Sequence, residues 1–289
     1  MKATEFQRIA VLGAGTMGHG IALVAATAGL EVQLFDIDEA SVTRGAARLR
    51  SALDEGVARG KLTPEARDAA WSRVVTTTTL AAAVSQADAV IEAVPERMDL
   101  KRPLFEAVAQ HAPAQALLGT NTSSLSIRAI ADAAGARASR VVGLHFFNPP
   151  HLVKLLEIVR SEVVAVDAMD DARALGERLG REMIVVSDSP GFATSRLGVV
   201  LGLEAMRMVE QGVASARDID TAMRLGYGHK MGPLEVSDLV GLDVRLAIAE
   251  YLHAQLGGEQ YRPPEILRRL VNEGALGKKS GQGFHLWSA

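Results

Sequence analysis

Arg8-Ile-Ala-Val-Leu-Gly-Ala-Gly-Thr-Met-Gly18 opens with aliphatic residues and closes on glycines. The run Arg8 to Leu12 has the unbroken apolar character of a strand buried on both faces, and Gly13 bounds it. Ala14 to Ala28 is rich in small residues and ends at Gly29, which suits a helix packed closely on a sheet and stopped at a left-handed position. Glu31-Val-Gln-Leu-Phe-Asp36 then reads as a second strand with a carboxylate at its C-terminal end. Together these pieces form one βαβ unit with a right-handed crossover.

Within it, Gly13-Ala-Gly15-Thr16-Met17-Gly18 matches G-x-G-x-x-G, placed after a strand and opening a helix. Gly13 permits the tight turn, Gly15 lets the backbone approach a pyrophosphate, and Gly18 allows helix and strand to touch. The helix N-terminus adds unpaired N–H groups and a partial positive charge. Asp36 lies where a carboxylate accepts from both ribose hydroxyls and repels a 2′-phosphate, so NAD is expected in preference to NADP. On the fingerprint alone FAD fits as well. A plain glycine turn with a capping Asp would leave the spacing without a reason.

Outward from this unit, Glu39 to Arg59 has helical spacing, and Pro64 after Thr63 opens a further short helix. In the run Thr76 to Thr79 the threonines read as strand end and helix cap. More strands are expected at Val74–Thr76, Ala89–Ile91, Ala116–Leu118, Val141–Leu144, Leu155–Val159 and Met183–Val186, with helices such as Leu100–His111 and Ala168–Leu179 between them. That alternation implies an α/β fold: a doubly wound, mainly parallel Rossmann-type N-terminal domain. After Ser187-Asp-Ser-Pro-Gly191 it stops. Helices are expected at Phe192–Gln211, Ala216–Leu225, Gly232–Leu239, Leu242–Gln255 and Pro264–Glu273, an all-helical C-terminal domain. The expected domains are therefore 1–187 and 188–289.

Length and composition agree with two globular domains: 289 residues, 48% hydrophobic and 22% charged, enough to bury sizeable cores. A net charge of −3 lacks the basic excess that binds nucleic acid or anionic lipid, so neither partner is expected. With no cysteine there is no disulfide, thiolate zinc site or cysteine nucleophile. The polar start leaves no room for a signal core, and the apolar stretch Gly18 to Leu30 falls short of the ~20 residues that span a bilayer. A cytoplasmic protein with no membrane partner is the expectation.

The chemistry is expected near His145, which closes the strand Val141–Leu144 and precedes Phe146-Phe-Asn-Pro-Pro150. In open α/β sheets ligands collect at the carboxyl ends of strands. Taken alone, a histidine beside two phenylalanines is as readily a satisfied core residue. Glu157 sits in the apolar frame Leu155 to Val159, where a carboxylate is costly unless paired. Pairing it with His145 would solve that cost and fix the imidazole tautomer; a bridge to Lys154 or Arg160 is the alternative. In Asn121-Thr-Ser-Ser124, Ser123 reads as the cap of a helix starting near Leu125, and Ser124 as the hydroxyl of interest. The remaining histidines have no ligand spacing: His151 could line the site's mouth, the others read as surface or packing residues, and no metal is assigned.

These motifs resemble the L-3-hydroxyacyl-CoA dehydrogenase family, in its single-function 3-hydroxybutyryl-CoA dehydrogenase branch, over nearly the whole chain. The resemblance rests on Gly13 to Gly18, Asn121-Thr-Ser-Ser-Leu125, Gly143-Leu-His-Phe-Phe-Asn-Pro149, Pro190-Gly-Phe192, Asp218-Ile-Asp-Thr-Ala-Met223, Met231-Gly-Pro233 with Asp238 and Gly241-Leu-Asp243, and Gly277-Lys-Lys-Ser-Gly-Gln-Gly-Phe284. It implies NAD-dependent, reversible oxidation of a short L-3-hydroxyacyl-CoA. In that pattern His145 is the base, Glu157 its orienting acid, and Ser124 touches both substrate and nicotinamide. Glu96, Lys101, Asn148 and Lys279 match cofactor-holding positions. The helical domain would dimerise and complete a substrate cleft.

One departure stands out. Where the family places a substrate-positioning asparagine after Pro190-Gly-Phe192, this chain has Ser195, which is shorter and offers one hydroxyl donor in place of an amide. His285 replaces a usual tyrosine and reads as neutral. The rival readings are dehydrogenases of other 3-hydroxy acids, such as a sugar acid or carnitine, and a non-catalytic NAD-binding protein. Arg44, Arg48 and Arg50 could meet coenzyme A phosphates or form a solvated basic face.

Overall fold

The computed structural model describes residues 1–2 and 5–287; the last two positions of the helical domain expected through residue 289 lie outside them. The chain forms two compact units, Met1–Asp188 and Ser189–Ala289. Among the described residues no helix is long and apolar enough to cross a membrane.

The first unit runs β1 (Arg8–Leu12), α1 (Thr16–Thr27), β2 (Glu31–Phe35), α2 (Glu39–Ala58), α3 (Pro64–Trp71), β3 (Val74–Thr77), α4 (Leu80–Val84), β4 (Ala89–Glu92), α5 (Met98–His111), β5 (Leu117–Thr120), α6 (Ile127–Ala133), β6 (Val141–Phe146), β7 (Leu155–Arg160), α7 (Val166–Arg178) and β8 (Glu182–Ser187). The eight strands form one sheet in the order β3-β2-β1-β4-β5-β6-β7-β8. Pairing is parallel throughout except between β6 and β7, so β7 and β8 run against the other six. The central strands are buried on both faces, which is why Ile9-Ala-Val-Leu12 and Ala89-Val-Ile91 read as continuous apolar runs.

Helix α1 lies close to β1 because Gly18 has no side chain: a Cβ there would come within 1.6 Å of the Gly13 carbonyl oxygen. Thr63 caps α3 by accepting from Ala66 N, with Pro64 in the first turn. Thr79 precedes α4, but its side chain makes no capping bond there, so the threonine run is a helix start by position only. Most strand ends differ by a residue or two from the sequence expectation, and two strands bear on the site. Strand β5 is shifted toward Thr120, and β6 continues through His145 to Phe146 because its pairing with β7 extends to Phe146 opposite Leu156. His145 is therefore inside the strand and does not close it.

The second unit consists of α8 (Thr194–Glu210), α9 (Ala216–Tyr227), α10 (Pro233–Val240), α11 (Leu242–Leu256) and α12 (Glu265–Asn272). Val199, Leu203, Met206, Leu234, Leu252 and Leu267 form its core. Two buried carboxylates organise the helix ends. Asp220 accepts from Leu234 N and Glu235 N at 2.9 Å each, which caps α10 from α9, and also bonds His285 Nε2 at 2.7 Å. Asp238 accepts from Phe284 N, His285 N and Trp287 Nε1. His285 is thus a partner of a buried acid and not merely the surface or packing residue expected, because Asp220 at 1% exposure needs its donors.

Candidate active site

The dinucleotide loop joins β1 to α1. Gly13 adopts φ +99°, and a Cβ there would stand 2.8 Å from the Ala93 carbonyl oxygen, so only glycine fits. Above Gly15 a Cβ would meet nothing within 4 Å, which leaves open space beside an exposed backbone. Helix α1 has no side-chain cap bond and no acidic residue in its first turn, so its N–H groups stay available to an anion. Thr16 is exposed and Met17 half-buried at this helix start. Asp36 accepts from Ala14 N through one oxygen and from Ile37 N through the other, both at 2.8 Å, and so ties the end of β2 to the loop. The open glycine, the uncapped helix and the anchored carboxylate suit a dinucleotide pyrophosphate and its ribose.

His145 and Glu157 are direct partners across the antiparallel β6–β7 pair. Directly opposed residues on such a pair share a face, so their side chains meet. His145 Nδ1 lies 2.8 Å from Glu157 Oε2. Glu157 is fully buried and His145 is 7% exposed, with its ring 4.4 Å from that of Phe147. The reversal of β7 brings a residue near its start to the same end of the sheet as the C-terminal end of β6.

Ser124, 6% exposed, belongs to the loop after β5. Glu96 Oε1 gathers that loop: it accepts from Thr122 Oγ1 at 2.6 Å, Ser123 N at 2.8 Å, Ser124 N at 3.1 Å and Ser124 Oγ at 3.3 Å. Ser123 is thereby corrected, since its N–H and hydroxyl both serve Glu96. Helix α6 starts later than Leu125, and Ser126 caps it by accepting from Ala129 N. Asn121 Oδ1 accepts from Phe146 N at 2.8 Å, which links the Ser124 loop to the residue after His145.

Lys101 is 1% exposed; its Nζ lies 2.6 Å from Glu92 Oε1 and 3.5 Å from Glu96 Oε2. Burial pushes the Glu92 carboxyl above the usual range against the pull of Lys101 and Thr120. At Glu96 burial is outweighed by the Lys101 charge and the bonds from Thr122 and Ser123, which hold that carboxyl below the usual range. Asn148 is exposed in the segment after β6. In the helical unit, Ser195 is half-buried in the first turn of α8, and Lys279 Nζ stands 2.6 Å from both oxygens of Asp243. On α2, Arg44 donates to Ser41, while Arg50 pairs with Asp54 and Asp68 and lies over the Trp71 ring.

The sequence reading missed Glu92, Thr120 and Thr122, whose hydroxyl donates to Glu96 and accepts from Ser124 N and Leu125 N. Glu92 had a visible signal: a carboxylate ending the apolar run Ala89-Val-Ile91, the same kind of exception as Glu157.

A glycine-loop dinucleotide domain with an acid-paired histidine at the carboxyl end of its sheet defines a nicotinamide-dependent oxidoreductase. Residues 8–189 match the family model "3-hydroxyacyl-CoA dehydrogenase, NAD binding domain", and residues 191–287 match "3-hydroxyacyl-CoA dehydrogenase, C-terminal domain". The 3-hydroxybutyryl-CoA dehydrogenase of Mycobacterium tuberculosis is 41% identical over 283 residues, covering 97% of this chain and 98% of that protein. The 3-hydroxyadipyl-CoA dehydrogenase of Escherichia coli is 41% identical over 284 residues, 98% of this chain but 59% of that longer protein. The crystal structure of (S)-3-hydroxybutyryl-CoA dehydrogenase from Ralstonia eutropha superposes with a TM-score of 0.93 at 35% identity, covering 99% of this chain and all of that one. The chain belongs to the 3-hydroxyacyl-CoA dehydrogenase family. It is an NAD-dependent 3-hydroxyacyl-CoA dehydrogenase.

Proposed function

We propose that the enzyme oxidises the 3-hydroxyl of a short L-3-hydroxyacyl-CoA, with 3-hydroxybutyryl-CoA as its substrate type, and that His145 is the general base. The 2.8 Å bond between His145 Nδ1 and Glu157 Oε2 carries this reading. With Nδ1–H donating to the carboxylate, the ring's lone pair sits on Nε2, which takes the hydroxyl proton. Glu157 offsets the positive charge that then develops on the imidazole. Bound NAD supplies the hydride acceptor for C3, so loss of one proton and one hydride turns the alcohol into a ketone. In the reverse direction His145 returns the proton. Ser124 orients the substrate oxygen, and Ser195 shapes the acyl site. Gly13, Gly15, Thr16, Met17, Gly18, Asp36, Glu96, Lys101, Asn148 and Lys279 hold or frame the cofactor. The exposed Leu197, Leu201, Leu225 and Tyr227 support a homodimer formed through the helical unit.

Initial rates with acetoacetyl-CoA and reduced NAD, set against longer 3-oxoacyl-CoA thioesters, and rates with 3-hydroxybutyryl-CoA and NAD, set against coenzyme A-free 3-hydroxy acids, test the assignment. The four-carbon thioester should have the highest kcat/KM; preference for a free sugar acid or carnitine would end the proposal. One residue favours a second reading, a thioester whose acyl chain ends in a carboxylate. Arg245 on α11, beside Gly198 and 7% exposed, has a buried Nε with no hydrogen-bond partner among the described residues. Burial lowers its pKa to about 10. A 3-oxoadipyl-CoA substrate in the same panel distinguishes the two.

Two further results are expected. Asp36→Ala should weaken NAD binding by about 1.5–3 kcal/mol, roughly 10- to 100-fold, and erode discrimination against NADP, because a charged acceptor is lost. Titration calorimetry with both cofactors reads this, and unchanged selectivity would remove Asp36 from the ribose. Ser195→Asn should change the ratio of kcat/KM between four-carbon and longer acyl chains more than it changes NAD affinity. A change in NAD affinity alone would show that Ser195 does not position substrate.

A further inference from the structure

The first unit contains a buried charge cluster that the mechanism above does not use. Glu92 is fully buried at the end of β4, and both its oxygens are occupied. Oε1 accepts from Lys101 Nζ at 2.6 Å and from Val94 N at 2.7 Å; Oε2 accepts from Thr120 Oγ1 at 2.7 Å. One side chain thus ties together the end of β4, the end of β5 and helix α5. Removing such ions from water is costly, and an apolar cluster would hold these elements together at least as well. The position of the cluster suggests what it is for.

Two connections lead outward from Glu92. Through Lys101, whose ammonium also lies 3.5 Å from Glu96 Oε2, it reaches the carboxylate that gathers Thr122, Ser123 and Ser124. Through Val94 N it holds the backbone against which Gly13 packs, since a Cβ on Gly13 would lie 2.8 Å from Ala93 O and 3.1 Å from Val94 N. Lys101 is buried, and its charge is shared between one sealed carboxylate and one that faces the loop.

We propose that Glu92 is a positioning residue for the dehydrogenase reaction, setting the Ser124 hydroxyl through Lys101 and Glu96 and setting the wall of the dinucleotide loop through Val94. The inference rests on the reading that Ser124 touches substrate. Without the Glu92 charge, Glu96 is the only carboxylate left beside the ammonium, whose other neighbour is the uncharged Val94 carbonyl at 3.4 Å. Drawn toward Lys101, Glu96 loosens its hold on the serine loop.

The test is a double-mutant cycle of Glu92→Gln with Ser124→Ala, measured as kcat/KM for acetoacetyl-CoA, with the NAD dissociation constant from calorimetry alongside. Glu92→Gln alone should lower kcat/KM roughly 10- to 100-fold, the scale of a misplaced reacting group, and should weaken NAD binding. In the Ser124→Ala background the same change should cost less than about threefold, because groups acting through one another are not additive. An equal loss in both backgrounds, or no loss in either, overturns the proposal, since a merely structural role would be additive. If Glu92→Gln does not fold, Glu92→Asp, which keeps the charge but draws it back from Lys101 Nζ, takes its place in the cycle with the same criteria. Ser124→Ala with undiminished kcat/KM would instead overturn the assignment of Ser124 itself.

Discussion

Glutamine at position 145 should leave a folded enzyme whose turnover is about 10²- to 10⁴-fold lower, the range expected when a positioned general base is lost. The substitution keeps a polar side chain able to bond Glu157, so the buried carboxylate is not stranded. It removes the imidazole that takes the hydroxyl proton. NAD affinity should hardly move, because the glycine loop and Asp36 are built on β1, α1 and β2, away from β6. Steady-state rates of NAD reduction, with a thermal melt to confirm folding, measure the effect. Turnover within about threefold of the native enzyme would remove His145 from the chemistry.

Glu157→Gln should cost about 1.5–3 kcal/mol of transition-state stabilisation, roughly a 10- to 100-fold drop in kcat, with little change in KM. The amide is nearly isosteric but uncharged, so it offsets less of the imidazolium's charge. It can also turn its NH₂ toward Nδ1. That would place the ring proton on Nε2, the nitrogen that has to be bare to act as base. Glu157→Leu should lower kcat at least as far yet melt no earlier than the amide variant, since an apolar side chain suits the buried position next to Leu156 and Ile158. If Glu157→Gln turns over at the native rate, the acid serves packing alone.

Much of this architecture was legible because its signals are local. The apolar run Ile9–Leu12, the glycine spacing and the acid at Asp36 each reflect a steric or electrostatic need met within a few residues. The His145–Glu157 pair was legible for another reason: a carboxylate among Leu155, Leu156, Ile158 and Val159 demands a partner. What the chain did not disclose was direction and register. Nothing in Leu155–Arg160 says that it pairs antiparallel to β6, and strand ends depend on how far a neighbour continues. Ser123 and Ser126 are equally good caps by composition, and only the tertiary position of Glu96 claims the first. Lys101 lies among Glu96, Arg97, Asp99 and Arg102, which reads as a solvated helix face, so its burial became visible only with Glu92 beside it.

The opposed placement of His145 and Glu157 has a practical corollary for anyone altering this scaffold. Side chains alternate along a strand, so one residue added inside β6 or β7 would seat Leu156 or Ile158 opposite the imidazole and turn the acid to the other layer of the sheet. Because β7 is also locked to β8 over six residue pairs, it has little freedom to slide back. Length is therefore best grafted into the segment between the two strands, where extra residues bulge outward and the proton-transfer couple keeps its alignment.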